Sequence, residues 1–389
     1  MRIALVAGEA SGDALGAGLI EALRNRFPDA RFAGVAGPRM KAAGCEDWYG
    51  SEELAVMGLT EILRHLPRLW RLRRALQQRI LEWRPDVFIG VDFKEFNLGL
   101  ARRLKSKGIR TVQYVSPQVW AWRQGRARTI GEAVDLVLCL FPFEPAFYRE
   151  YGVRTTFVEH PLADQIPMDV DRAAARQELG IASDARVLAL LPGSRVGEVE
   201  RLGEPFAASA ELLAVRYPGL VCIAPMVTPQ LRELFAAHCT AAAPRAAVRM
   251  LDGHARQALA AADVVLVASG TATLEAALSK RPMVVAYKLG AITAFLLQTL
   301  GLVKVRYFSQ PNLLADAELV PEFFQERASA GNLADALGNW FEHPEQVARV
   351  EKEFARIHAS LRRDGAELAA REIAELLTAW TARAGAGAA

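Results

Sequence analysis

Short apolar runs alternate with helical patterns along most of the chain. In the first 160 residues these runs are IALVA, RFAGVA, DVFIGV, TVQYV, DLVLCL and TTFV, each bounded by turn residues. Amphipathic segments such as ALGAGLIEALRNRF lie between most of them. Apolar strands alternating with helices are typical of βαβ units, so this half predicts a parallel sheet.

The alternation restarts at residue 186 with VLALLP, LVCIAP, AVRML, DVVLVA and MVVAY. The halves are joined by PLADQIPMDVDRAAARQELGI, which predicts a linker and a short helix ending at Gly180. From about residue 329 the pattern is helical throughout. We therefore predict an α/β fold of two Rossmann-like domains facing a cleft, because such sheets bind ligands beyond the carboxyl ends of their strands. The predicted divisions are 1–165, 166–345 and closing helices over 346–389 that could return to the first domain.

Composition narrows the class of protein. The 389 residues are 52% hydrophobic and 23% charged, as in globular proteins, and a net charge of +3 is too small to indicate nucleic-acid binding. The four cysteines form no C-x-x-C pair, which predicts buried thiols in a reducing compartment. No apolar stretch reaches the length of a bilayer span, so we expect a cytoplasmic protein or one bound to a membrane surface.

Each half carries a glycine loop where a strand meets a helix. The first is VAGEASGD, residues 6–13, and the second lies in LLPGSRVGEVERL, residues 190–202. Backbone amides in such loops can approach an anion, although the spacing is not that of the dinucleotide fingerprint. The first loop is equally compatible with a tight turn that places Asp13 near the helix start. The candidate ligand contacts in the two loops are Gly8, Ser11, Gly12 and Ser194.

Two features of the second half point to a nucleotide sugar. Arg195 begins a helix, where a cation is unfavourable unless an anion lies between it and the amides. A strand ends at Ala268 and is followed by Ser269, Gly270 and Thr271, another helix start suited to an anion. Glu275 follows closely enough to accept hydrogen bonds from a ribose diol, or it simply caps the helix.

Asp92 follows the apolar run DVFIGV and is the candidate catalytic base. A carboxylate at a strand end can take the proton of an attacking sugar hydroxyl. The alternative is a capping box in D-F-K-E, formed by Asp92 with Glu95. From the residues alone these two interpretations are evenly balanced.

The stretch YVSPQVWAWRQGRAR, residues 114–128, combines two tryptophans with an arginine cluster. Indole rings can cover a sugar face or an acyl chain, or can pack under a loop. The arginines are candidates for binding a phosphate. His160 is a candidate ligand contact because it ends the last strand of the first half. The candidates for contacting the molecule that carries the attacking hydroxyl, the acceptor, are Glu95, Trp120, Trp122, Arg123 and His160.

The charge of the chain is concentrated in LTEILRHLPRLWRLRRALQQRILEW, residues 59–83, where six arginines fall between residues 64 and 79. Pro67 should start a second helix or kink one. An apolar stripe of Leu69, Leu72, Leu76, Ile80 and Trp83 predicts a core-facing side, and Trp70 lies off it. Apolar residues beside arginines favour an interfacial membrane helix, although an ordinary solvated helix has the same pattern. The predicted membrane-facing residues of segment 56–83 are Leu59, Ile62, Leu63, Leu66, Leu69 and Trp70.

A metal site is not expected. Asp169-Val170-Asp171 has the Asp-x-Asp spelling found in metal-dependent glycosyltransferases, but it lies in the linker just before a helix, where acids are ordinary. No His/Cys group has ligand spacing. Arg195 and a helix N-terminus would neutralise a diphosphate without a cation, and no cofactor is predicted.

Taken together, these stretches resemble the lipid-A-disaccharide synthase family, inverting GT-B glycosyltransferases of Gram-negative bacteria. The resemblance runs nearly end to end, through VAGEASGD, GVAGPRM, EELAVMG, YVSPQVWAWR, HPLAD, LLPGSR, VASGTATLE and PNLLA. It implies that the chain joins UDP-2,3-diacylglucosamine to 2,3-diacylglucosamine 1-phosphate, releases UDP, and works on anionic lipid at the inner face of the cytoplasmic membrane. It leaves the oligomeric state open.

The resemblance also implies individual roles. The positions that match the family's functional residues are Asp92, Arg195, Glu275 and Asn312, the last two on the nucleotide side. Glu95 departs from the pattern, because a second aspartate is usual there. Glu159 also departs, because a glycine usually precedes the His-Pro pair, and glycine adopts backbone angles that glutamate rarely does.

Two other functions are compatible with this organisation. A nucleotide-sugar epimerase can use the same fold, but a soluble epimerase has no use for an arginine-rich apolar segment. A non-catalytic nucleotide-sugar-binding protein at the membrane would not need Asp92 at a strand end. Release of UDP distinguishes a transferase from the binding protein.

Overall fold

The computed structural model describes residues 1–51, 54, 59–121, 124–290 and 306–386, with backbone only for 59–67, 121 and 380–386. The chain forms two compact units, Met1–Pro161 with Arg362–Ala389, and Leu162–Leu361. The first boundary therefore lies four residues before the predicted position (165 − 161). The helix Pro344–Leu361 belongs to the second unit, so the return to the first unit begins at residue 362 rather than at 346.

The first unit is built on a seven-stranded, fully parallel sheet in the order β3-β2-β1-β4-β5-β6-β7. All six strands predicted for this half are present, and β3 was missed. Its sequence, CEDWYG, is polar because it forms an edge of the sheet and is mostly not buried. The strands are β1 Arg2–Ala7, β2 Arg31–Ala36, β3 Cys45–Gly50, β4 Val87–Val91, β5 Arg110–Tyr114, β6 Leu136–Cys139 and β7 Thr155–Phe157.

Both faces of this sheet are covered, which explains its continuous apolar runs. Along β1, Ile3 and Leu5 pack into one apolar cluster, while Ala4 and Val6 pack into the other. The alternation follows from the two-residue period of side chains in a strand.

Helices cover the two faces of the first unit's sheet. They are α1 Ala10–Arg26, α2 Pro38–Ala42, α3 Leu59–Trp83, α4 Lys94–Lys105, α5 Arg126–Ala133 and α6 Glu144–Arg149, with a 3₁₀ turn at Val119–Ala121. The closing helix of the chain, Gly365–Ala386, also packs on this unit. Its Ala369 and Ile373 are fully buried in the cluster that contains Leu19 and Leu23 of α1.

The arginine-rich segment forms one helix, α3, with Pro67 inside it rather than at the start of a second helix. Leu72, Leu76 and Ile80 are buried, which confirms the predicted core stripe. Leu69 is partly buried and packs against the same core cluster, and its place among the membrane-facing residues stays a prediction.

The second unit has a six-stranded parallel sheet in the order β10-β9-β8-β11-β12-β13. The five predicted strands are present, and the edge strand β13 was missed because it has only three residues. The strands are β8 Val187–Leu191, β9 Val221–Met226, β10 Arg249–Asp252, β11 Val264–Ala268, β12 Met283–Tyr287 and β13 Glu322–Phe324. The helices are α7 Pro161–Gln165, α8 Arg172–Glu178, α9 Val196–Arg216, α10 Pro229–Ala242, α11 Ala255–Ala261, α12 Thr271–Leu278, α13 Gln310–Ala315, α14 Ala330–Glu342 and α15 Pro344–Leu361; the helix Gly365–Ala386 is α16.

The cysteines agree with the buried thiols predicted from composition. All four cysteines are buried free thiols. Across the described ranges, no helix combines the length and the apolar character needed to cross a bilayer.

Candidate active site

Asp92 lies directly after β4, at the carboxyl edge of the first sheet, and is half-buried. Its backbone adopts the left-handed region, with φ of 52°, and Phe93 follows with φ of 34°. Its N–H donates to the Tyr114 carbonyl oxygen at 2.8 Å, which continues the β4–β5 pairing by one residue. The capping-box alternative is wrong, because Phe93 occupies the N-cap position of α4 and the side chain of Asp92 does not.

The carboxyl group of Asp92 has a raised pKa. Burial is the main cause and nearby Glu95 adds to it, while the Phe93 N–H, Lys94 and the Ser11 side chain oppose it. A raised pKa makes the carboxylate a stronger base. Glu95 itself is exposed and lies beside Lys94, with 4.0 Å between Lys94 Nζ and Glu95 Oε1.

Glu9 is a third carboxylate at this edge, and the sequence analysis missed it. Its pKa is raised by burial, then by the charges of Asp92 and Glu95. The order of the strands could have revealed it, since an acid in the loop after β1 lies beside the end of the neighbouring strand β4.

The glycines of VAGEASGD allow this loop to approach the Asp92 turn. A Cβ atom on Gly8 would lie 2.8 Å from the Phe93 ring, and one on Gly12 would lie 3.3 Å from the Val91 carbonyl oxygen. The helix α1 begins at Ala10, so Ser11 and Gly12 lie in its first turn. The observed loop is therefore shorter than the predicted one.

One interpretation of the motif placed Asp13 as a cap at the start of its own helix, α1. The structure shows a different role for Asp13. Its buried carboxylate accepts hydrogen bonds from the N–H groups of Gly37, Arg39 and Met40 at 2.9, 2.9 and 3.0 Å. Asp13 therefore caps α2 and joins that helix to α1.

Trp120 is held in place by a buried acid. Its Nε1 donates to Glu144 Oε1 at 3.1 Å, and its ring packs edge-on against Phe143. Glu144 also accepts the N–H groups of Leu140 and Phe141 at 3.1 and 3.0 Å. Burial nevertheless raises the pKa of Glu144 to about 7. The predicted acceptor contacts Trp122 and Arg123 lie outside the described residues.

His160 is buried and lies against the ring of Phe141, with 5.1 Å between centroids. Burial lowers its pKa to about 4, so the imidazole is neutral near pH 7. The preceding Glu159 does not have a positive φ, so the position does not require a glycine.

The P-G-S-R loop of the second unit binds an anion supplied by the chain itself. Glu198 Oε2 accepts the N–H groups of Ser194 and Arg195 at 2.9 and 3.3 Å, and Glu198 Oε1 lies 3.4 Å from Arg195 Nη1. The side chain of Arg195 is 83% exposed. The sequence analysis did not identify Glu198, although a glutamate at the third helical position is the usual acid of a capping box.

The S-G-T turn lies where β11 meets α12. The Ser269 side chain donates to the Phe308 carbonyl oxygen at 3.1 Å, and Gly270 has φ of 154°, which favours glycine. Thr271 begins the helix. Glu275 is half-buried, and burial raises its pKa against the opposing charge of Arg256.

Asn312 is fully buried, and its hydrogen bonds are made within the protein. Its Nδ2 donates to the Val320 carbonyl oxygen and to Glu322 Oε1, both at 2.8 Å, and its Oδ1 accepts the N–H groups of Leu319 and Val320. The side chain therefore holds the turn after α13, and its expected place on the nucleotide side stays a prediction.

The surface around Trp70 combines apolar area with charge. Trp70 is 49% exposed, and the Arg74 guanidinium lies over its ring at 5.7 Å. Arg68 and Arg71 are exposed on the same helix. The predicted membrane contacts Leu59, Ile62, Leu63 and Leu66 have side chains outside the described part of the chain.

The Asp-x-Asp of the linker has a structural contact. Asp171 is the N-cap of α8 and accepts the Ala174 N–H at 2.9 Å. Within the described ranges, no group of three or more histidine, cysteine, aspartate or glutamate side chains has the geometry to hold a metal ion.

Comparison with known proteins gives the family. The family model described as lipid-A-disaccharide synthetase matches residues 3–376. The chain is 53% identical over 378 residues to the lipid-A-disaccharide synthase of Xanthomonas campestris pv. campestris (strain 8004), covering 97% of this chain and 86% of that protein.

Solved structures of lower identity share the fold. The calicheamicin glycosyltransferase CalG4 matches with a TM-score of 0.56 at 16% identity, covering 98% of this chain and 99% of that one. A putative UDP-N-acetylglucosamine 2-epimerase from Listeria monocytogenes matches with a TM-score of 0.65 at 13% identity, covering 95% of each chain. At these identities the likeness shows the GT-B fold alone and does not favour the epimerase. The sequence match over nearly the whole length distinguishes a disaccharide synthase from an epimerase. The chain belongs to the lipid-A-disaccharide synthetase family.

Proposed function

We propose that this chain is the glycosyltransferase that forms the lipid A disaccharide, from UDP-2,3-diacylglucosamine and 2,3-diacylglucosamine 1-phosphate. The observation that carries the proposal is the 53% identity to a lipid-A-disaccharide synthase over 97% of the chain. The acylated sugars and the release of UDP are properties of the family that the motifs resemble.

In the proposed reaction, the 6-hydroxyl of the acceptor attacks the anomeric carbon of the donor sugar. The new C–O bond forms as the bond to the UDP oxygen breaks, and the configuration inverts. Asp92 takes the hydroxyl proton, and its position at a strand end with a pKa raised by burial supports that role.

On the donor side, Arg195 and the amides of Ser194 and the S-G-T turn would stabilise the departing diphosphate. Arg195 suits this role because its guanidinium is exposed and makes its ion pair only with Glu198 among the described residues. Glu275 would accept hydrogen bonds from the ribose, since it lies one turn into α12. Gly8, Ser11 and Gly12 are proposed to line the substrate side of the Asp92 turn.

On the acceptor side, Trp120, His160 and Glu95 are proposed to contact the sugar or an acyl chain. The exposed Trp70 and the arginines of α3 would bind the chain to anionic lipid at the inner surface of the cytoplasmic membrane. Such docking suits substrates whose acyl chains remain in the bilayer.

The test is product analysis with the two acylated sugars and purified wild-type and Asp92→Asn proteins. We expect disaccharide 1-phosphate and UDP in equal amounts, and a fall in turnover of ~10²–10⁴-fold in the variant with UDP affinity retained. Epimerised donor formed without acceptor, or UDP binding without release, would exclude the transferase. Turnover of Asp92→Asn within a few-fold of wild type would move the role of base to Glu95. Loss of activity in EDTA that Mg²⁺ restores would return Asp169 and Asp171 to consideration.

A further inference from the structure

Two neighbouring strands of the first sheet end in strained backbone. Asp92 and Phe93, after β4, have φ of 52° and 34°, and Val115, after β5, has φ of 75°. A positive φ is uncommon for any residue except glycine and is a true outlier for a β-branched one. Such conformations persist only where the surrounding structure holds them, and they concentrate at functional sites.

Two buried side-chain amides lie beneath these turns, and we call Asn97 and Gln113 the amide brace. Gln113 Nε2 donates to the Asp92 carbonyl oxygen at 2.9 Å and also approaches the carbonyl oxygens of Tyr114 and Val115 at 3.1 and 3.4 Å. Asn97 Nδ2 donates to the same Asp92 oxygen at 3.0 Å. One carbonyl of the strained turn therefore receives two amide donors, one from α4 and one from β5.

The packing around the brace is specific. A Cβ atom on Gly90 would lie 2.7 Å from Asn97 Cβ and 3.1 Å from Gln113 Oε1, so β4 leaves room for both amides only because it carries a glycine there. Asn97 and Gln113 are 0% and 1% exposed. A strand glycine at a close approach of this kind is typical of a site where neighbouring groups must come near the backbone.

Within the part of the chain that the structure describes, the brace leaves one polar atom of each amide unpaired. Asn97 Oδ1 and Gln113 Oε1 are buried without a hydrogen-bond partner among the described residues. A buried, unpartnered acceptor is unfavourable, and an apolar side chain of similar shape would avoid that cost. What the amides provide is their N–H donors. The shortest contact of each is with the Asp92 carbonyl oxygen, while Asn97 Nδ2 also approaches the carbonyl oxygens of Val6 and Val91 at 3.3 and 3.4 Å.

We propose that Asn97 and Gln113 are positioning residues that hold Asp92 in its left-handed conformation and so direct its carboxylate at the acceptor hydroxyl. The proposal rests on the proposed function, in which Asp92 is the base. The brace acts through the backbone of Asp92 and contacts no substrate. Its loss should therefore lower the rate of the chemical step and leave donor binding unchanged.

The first test compares Gln113→Met with Thr111→Val. Methionine has nearly the shape of glutamine but lacks its donor. Thr111 is a matched control, because it is buried at the opposite end of β5 and its hydroxyl donates to the Ala133 carbonyl oxygen at 3.2 Å. For Gln113→Met we expect kcat to fall ~10- to 100-fold, with KM and UDP affinity within about twofold of wild type. Equal kcat in the two variants would overturn the proposal.

The second test repeats Gln113→Met in the Asp92→Asn background. If the brace acts through the Asp92 carboxylate, the substitution has no further effect on the residual rate, because groups that act as a unit are not additive. The same fold-loss in both backgrounds would overturn the proposal. Full turnover of Asp92→Asn alone would instead overturn the assignment of Asp92 as the base in the proposed function, and the brace proposal with it. If Gln113→Met does not fold, Asn97→Leu is measured instead in the wild-type and Asp92→Asn backgrounds. The same fold-loss of rate in both backgrounds would again overturn the proposal.

Discussion

Glu159 Oε2 accepts the backbone N–H of Gly365 at 2.8 Å and that of Arg363 at 3.1 Å. A residue that follows the last strand of the first unit therefore caps the helix that returns to that unit 206 positions later in the chain. The glutamate that departs from the family pattern thus has a structural role, and a Cβ on Gly365 would lie 2.4 Å from the Cβ of Glu159.

Glu159→Ala should destabilise the first unit. The N–H groups of Arg363 and Gly365 lose the carboxylate that accepts from them, and loss of a helix cap costs ~1 kcal/mol. Denaturant unfolding measures the change, and Glu159→Gln, which keeps an acceptor oxygen, should show a smaller one. Equal stability of wild type and Glu159→Ala would show that water replaces the carboxylate without loss.

Arg195→Ala should weaken UDP binding. A hydrogen bond to a charged group contributes ~1.5–3 kcal/mol, which corresponds to roughly 10- to 100-fold in affinity. Arg195→Lys should retain only part of the wild-type affinity for UDP, because lysine lacks the forked donors. Calorimetric titration with UDP measures the effect. Arg216→Ala, at the other end of α9, is the control, and equal affinity in both alanine variants would exclude Arg195 from the site.

Glu144 should make stability depend on pH. Its pKa is about 7 in the folded protein, above the ordinary value of 4.5, so the folded state holds the proton more tightly than the unfolded state. The stabilisation is complete below pH 4.5 and is lost as the pH rises through 7, on the order of 3 kcal/mol in all.

The measurement is the free energy of unfolding at pH 5 and pH 8 for wild type and Glu144→Gln. Glutamine does not ionise, so the free energy of unfolding should fall less between pH 5 and pH 8 in the variant than in wild type. Identical pH dependence in the two proteins would show that Glu144 is ionised throughout.

Trp70→Ser should reduce binding to anionic vesicles. Removing a half-exposed indole from a lipid interface is expected to cost ~1 kcal/mol, about fivefold in partitioning. Leu212→Ser is the control, because Leu212 is exposed to the same degree on α9 of the second unit. Added salt should weaken wild-type binding, since each arginine at the headgroups contributes ~1 kcal/mol that salt screens.

Replacing Leu63 and Leu66 together with Trp70 by serine should reduce vesicle binding further and lower activity on long-chain substrates. Sedimentation with vesicles is the measurement. Wild-type binding by the triple variant would show that α3 is an ordinary solvated helix. If the triple variant unfolds, the replaced side chains belong to the core of the folded protein and do not face the membrane.

The strands could be predicted from sequence because both sheets are buried on two faces and so read as apolar runs. The two missed strands are edges, and β3 carries polar residues that a buried-strand pattern does not detect. Asp92 could be located because it follows such a run. Its left-handed backbone could not, because Gln113 meets it only through the pairing of β4 with β5. The role of Asp13 was misjudged for the same reason, since its partners on α2 are set by packing rather than by neighbouring positions in the sequence.

The carboxylate of Glu198 on the P-G-S-R loop has a consequence for turnover. A phosphate can reach the amides of Ser194 and Arg195 only after that carboxylate has left them. If the donor binds at this loop as proposed, its binding exchanges one anion for another on amides that are already ordered. In the proposed function, release of UDP would run the same exchange backwards, with the Glu198 carboxylate returning to the amides of Ser194 and Arg195 as the product leaves.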